Sequence, residues 1–128
     1  VKELLPTITD EETFNFATYL LTETKDFEED ILPFTDNVNS QIRSTAYYTL
    51  GKSQKKEQYL DVFIKGLQET DNDVLRTVIQ AISGVKDERL LPYYKQIAKR
   101  FSKDEDYILS NLKRALEPFG LTVEEARK

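Results

Sequence analysis

One phrase occurs twice in this chain. Thr35-Asp36-Asn37 leads to Ile42-Arg43 and then to Gly51; Thr70-Asp71-Asn72 leads to Leu75-Arg76 and then to Gly84. From the apolar-Arg pair onward the copies are offset by 33 residues. Self-similarity at that period marks an array of small helical units, none of which can bury its apolar face alone, so neighbours must stack. A further shift of 33 residues extends the register to Ile42/Leu75/Ile108, Ala46/Ile79/Leu112 and Thr49/Ile82/Ala115. One side of three successive helices is thus expected to be core.

The rest of the chain reads as helix throughout, with no segment of strand-like alternation. Thr9 with Glu12 forms a capping box, in which hydroxyl and carboxylate satisfy each other's backbone N–H groups, and opens a helix carrying Phe14, Ala17, Leu20, Leu21 and Thr24. Phe16 and Tyr19 fall off that stripe. A short helix with Phe27, Ile31 and Leu32 is expected to end near Pro33. The third helix, about 39–52, takes Asn39 or Ser40 as cap and Gly51 as a left-handed terminator. The fourth, about 56–69, carries Tyr59, Leu60, Phe63, Ile64 and Leu67. The fifth, about 73–85, is capped by Asp71 or Asp73, and the sixth, about 88–101, holds Pro92 in its first turn. Ser102 with Glu105 and Thr122 with Glu125 are further capping boxes opening the last two helices.

Paired helices, an acidic or Asn-rich turn, apolar-Arg near the start of the second helix and Gly at its end together resemble the HEAT-repeat, or HEAT-like, family. The likeness rests on Asp36, Ile42, Arg43, Ala46, Leu50 and Gly51, then on Asp71, Leu75, Arg76, Ile79, Ala81 and Gly84, and more loosely on Leu112, Ala115, Leu116 and Gly120. It implies an all-α, right-handed α–α superhelix: a short solenoid of about three helix pairs, with units near 26–52, 55–86 and 88–120 in a single domain spanning 1–128. Helices 9–24 and 122–128 would be caps or partial repeats. The third unit departs from the pattern, with Leu109 where Arg43 and Arg76 stand. The resemblance also implies that Arg43 and Arg76 reach Asp36, Asp71 or Asp73 as a structural ladder, because a planar guanidinium suits fixed bidentate pairing.

The composition removes several kinds of chemistry. Without Cys there is no disulfide framework and no thiolate nucleophile; without His the commonest general base and metal ligand is gone. A net charge of −5 opposes phosphate binding, so no nucleic-acid partner is expected. The basic spots Lys99-Arg100-Lys103 and Lys113-Arg114 are opposed by Asp104-Glu105-Asp106. No apolar run approaches the roughly 20 residues that span a bilayer, and the first residues hold no signal-peptide core. A cytoplasmic location with no membrane partner is the expectation. The acidic clusters 10–12, 28–30 and 104–106 fall in first helical turns, where negative charge favours the macrodipole, so they call for no metal site. No phosphate loop or nucleophile elbow is present.

These readings point to a non-catalytic protein–protein interaction or scaffold module, with no catalytic residue, cofactor or metal. Its partner is expected on the concave face built by the second helices, where Arg43, Ser44, Tyr47, Arg76, Thr77, Gln80, Leu109 and Lys113 would lie; Tyr47 is singled out as the aromatic anchor. The alternatives from the family resemblance are a HEAT-like DNA-binding or repair protein and a small-molecule lyase accessory protein.

Overall fold

The computed structural model describes residues 11–23, 27–101 and 106–127. Among these residues every regular element is helical: α1 Glu11–Leu21, α2 Glu28–Ile31, α3 Ser40–Gly51, α4 Leu60–Gly66, α5 Asn72–Ile82, α6 Leu91–Arg100, α7 Asp106–Leu116 and α8 Val123–Ala126. Tight 3-10 turns precede or follow several of them, at Leu32–Asp36, Lys56–Tyr59, Glu88–Leu90 and Glu117–Phe119. No helix among the described residues is long and apolar enough to cross a membrane.

The helix boundaries follow from local chemistry. Asn39 caps α3, its Oδ1 accepting from the backbone N–H of Gln41 and Ile42, and Asp71 does the same for Asp73 and Val74 at α5. Thr122 and Glu125 make both bonds of a capping box at α8. The boxes expected at Thr9 and Ser102 lie outside the described residues. α4 begins and ends inside its expected range, because a 3-10 turn supplies its start and Gly66 its last residue. Gly120 takes φ of 69°, a left-handed conformation that glycine adopts without a Cβ penalty.

Two sets of helices alternate along the chain. α1 packs on α3, α3 on α5 and α5 on α7; from the other side α2 and the Leu32–Asp36 turn cover α3, α4 covers α5, α6 covers α7, and α8 packs on α6 and α7. All nine positions of the 33-residue register are buried at the centre. Phe14 and Phe34, with ring centroids 4.8 Å apart, tie α1 to the Leu32–Asp36 turn. On α1 the buried side includes Thr18, while Leu20, which the helical spacing assigned to the stripe, is 38% exposed.

Gly51 is needed for a different reason from the one its position suggests. It closes α3 with no positive φ, and a Cβ built there would stand 2.6 Å from the Ala81 Cβ and 3.1 Å from its Cα. Its partner Gly84, with no heavy atom within 4 Å of a built Cβ, has open space around it. Gly51→Ala should therefore destabilise the fold by about 1–3 kcal/mol through overpacking against α5. Gly84→Ala should be neutral or stabilising by up to about 1 kcal/mol; urea denaturation of the two variants reads the difference.

Candidate interaction surface

The row α1, α3, α5, α7 turns its polar sides away from the second layer. Three shallow grooves follow its seams. Between α1 and α3, Asn15, Thr18, Tyr19, Thr45, Tyr48 and Lys52 line about 300 Å³. Along the α3–α5 seam, Tyr48, Lys52, Lys56, Thr77 and Gln80 line about 220 Å³ at one end, and Ser40, Gln41, Ser44, Asp73 and Arg76 line about 260 Å³ at the other. Tyr48 and Lys52 belong to two of the grooves, so they form a ridge between them.

The seams are held by short polar bonds. Ser44 and Thr77, which stand 33 residues apart at matching positions, share a 2.8 Å hydroxyl–hydroxyl hydrogen bond. The Thr45 hydroxyl donates to Asn15 Oδ1 at 2.7 Å. Lys52 Nζ lies 4.6 Å from the Tyr48 ring centroid, and the Arg76 guanidinium lies 5.7 Å from that of Tyr107. Both distances allow cation–π attraction.

Tyr47 is not part of this surface. It is 1% exposed, faces Phe63 with centroids 6.4 Å apart, and lies so close to Gly66 that a Cβ there would stand 2.9 Å from its ring. Burial, followed by the nearby Glu69 and Asp36 carboxylates, pushes its hydroxyl up to about 12, against the opposing effects of Arg43 and a hydrogen bond with Thr35. The expectation of an exposed anchor at Tyr47 fails because the α3 face carrying it turns toward α4. The neighbouring Tyr48, 53% exposed, takes the outward place. Leu109 is partly buried against the core, whereas Gln80 and Lys113 are exposed.

The expected Asp–Arg ladder is also differently made. Arg43 forks onto Glu69, with Nη2–Oε1 at 2.8 Å and Nε–Oε2 at 3.3 Å, and its Nη1 donates to the Asn37 and Val38 carbonyls. The three aspartates are placed otherwise: Asp36 pairs with Lys65 at 2.7 Å, Asp71 accepts the α5 cap bonds, and Asp73 is exposed. Glu69 has both the reach and two free oxygens for the guanidinium fork. Among the described residues Arg76 has no such arrangement: its Nε is buried and meets no hydrogen-bond partner there.

Sequence reading missed two further features. Lys65 holds the first turn through Thr35 and Asp36, and 35 residues later Arg100 holds the second through the Glu69 and Thr70 carbonyls and Asn72. This echo was available in the spacing of the two cations, but both sit on the layer whose periodicity is weaker. Tyr94 is fully buried, its hydroxyl oxygen meets no hydrogen-bond partner among the described residues, and burial raises its pKa. Among the described residues no group of three or more acidic side chains is arranged to hold a metal ion. No protein-family model, no curated protein and no solved structure matches the chain.

Tyr47 is favoured neutral in the folded state, so its contribution is intact below pH 10 and is lost as pH rises from there through about 12. Tyr47→Phe should flatten the alkaline fall in stability by up to about 1.4 kcal/mol per pH unit in that window, measured by urea melts at successive pH values. Glu69→Gln, which strips the partner from a guanidinium only 19% exposed, should destabilise by about 1–3 kcal/mol. Asp36→Asn, at a pair whose side chains are 47% and 71% exposed, should change stability by less than about 1 kcal/mol in the same assay.

Proposed function

We propose that this chain is a non-catalytic interaction module, a short HEAT-like array that docks a partner protein on the face built by α1, α3, α5 and α7. In this reading the units fall near 26–52, 55–86 and 88–120 and stack as a right-handed α–α superhelix, with α1 and α8 as partial units. The array reading is supported by the Ser44–Thr77 bond between matching positions and by the buried 33-residue register. A cytoplasmic setting agrees with a chain that uses no cysteine.

The observation that carries the function is what the face leaves exposed. Tyr19, Tyr48 with Lys52, and Tyr107 beside Arg76 lie on four successive helices of one row, linked by shared groove linings and ring contacts. Aromatic and cationic side chains on seams between rigid helices form the anchors of protein interfaces, because large rigid groups bury area at low entropic cost. Within a chain of net charge −5, such a face favours a protein over a polyanion.

The test is affinity capture with the wild-type chain, a Tyr48→Ala/Lys52→Glu variant and a Lys95→Glu variant on the opposite layer. A stoichiometric partner retained by Lys95→Glu and lost by the double variant is the expected result. A partner held equally by all three forms would place docking elsewhere.

A further inference from the structure

We infer that Arg76 is a preorganised receptor for an Asp or Glu side chain carried by an internal segment of the partner; this rests on the docking face proposed above. The comparison between the two arginines of the repeat carries it. Arg43 and Arg76 stand at matching positions, yet Arg43 has four hydrogen bonds to Glu69, Asn37 and Val38, while no bond of the Arg76 guanidinium is found among the described residues. Guanidinium cannot shed its charge, and a buried N–H left without an acceptor is destabilising. The side chain also forms part of a groove wall, where its remaining N–H groups can meet an acceptor from outside.

The surroundings decide which acceptor. Tyr107 on α7 lies under the guanidinium and fixes it from one side, which leaves the terminal Nη groups, rather than the buried Nε, for the two-point match that a carboxylate provides. Asp71 and Asp73 line the same groove. Their charge opposes a doubly charged phosphate more than a single carboxylate, by like-charge repulsion. Asp71 Oδ1 is already occupied by the α5 cap, but the exposed Asp73 carboxylate and the Ser40 hydroxyl, which line the same groove, are acceptors for backbone N–H groups of the ligand segment. A side chain within a continuous peptide supplies both the carboxylate and those donors. A free chain end supplies donors on one side only.

The experiment is to pan random, C-terminally amidated peptides displayed in a library against the intact chain, then measure synthetic winners by fluorescence polarisation. The expected winners carry Asp or Glu at one fixed position and are weakened on the order of tenfold by Arg76→Gln. Replacing that acid by its amide should weaken binding similarly, and the two changes together should do no more than either alone, as expected for one shared contact. Arg76→Lys, which keeps charge and loses the fork, should fall between. Folding of each variant is read from its amide NMR spectrum.

Winners lost by Tyr48→Ala but indifferent to Arg76→Gln, or to replacement of their acid by its amide, would overturn the role of Arg76 and leave the docking face standing. Winners indifferent to every variant of the face would overturn both. If panning enriches nothing, N-acetylglutamate N-methylamide is titrated while the arginine Nε–Hε signals are followed. Saturable movement of Arg76 with Arg43 unmoved supports the receptor; no movement, or equal movement of both, overturns it.

Discussion

The close approach of α3 and α5 is the contact on which the rest of this structure depends. Gly51 has no room for a methyl group because Ala81 occupies it, and at the middle of the same seam Ser44 and Thr77 share a short hydrogen bond. Two small residues and two hydroxyls let the helices come together while Ala46 and Ile79 are buried below. Neither helix can bury its stripe alone, and each gains by covering the other. α1 and α7 extend the same row at its two ends.

Cations fasten what packing alone leaves loose. The turns before α3 and α5 are irregular and polar, and their carbonyls need donors. Arg43 supplies them before α3 and Arg100, reaching across from the other layer, before α5, while Lys65 holds the first turn by its Thr35 hydroxyl and Asp36 carboxylate and Arg43 also ties that turn to Glu69. The linkages of Lys65 and Arg100 and that of Arg43 to Glu69 join segments some 26 to 31 residues apart, so the turns are tied to neighbouring elements as well as to their own helices. Against that pattern, the Arg76 Nε–H, buried and without an acceptor among the described residues, stands out.

Much of the candidate surface was legible before the fold was known, and the part that was not has one cause. Gln80, Thr77, Arg76 and Lys113 follow from the register and lie on the polar side of their helices. Tyr47 and Tyr48 are adjacent, equally aromatic and both near the edge of the apolar stripe, so periodicity could not say which one turns inward. The rotation of α3 relative to α4 decides it, and the absence of a Cβ at Gly66 makes the space that Tyr47 fills.

The sequence by itself determined the helical character, the capping box at Thr122, the α3 and α5 caps to within Asn39 or Ser40 and Asp71 or Asp73, and the nine core positions of the 33-residue register. These are local or periodic properties, set by side-chain volume, capping geometry and the helical repeat. Only the tertiary structure decided which carboxylate Arg43 takes, that Tyr48 rather than Tyr47 faces outward, why Gly51 must lack a side chain, and that the buried Arg76 Nε meets no hydrogen-bond acceptor among the described residues. Those facts depend on distances between elements remote in the chain, and no spacing within a single helix encodes them.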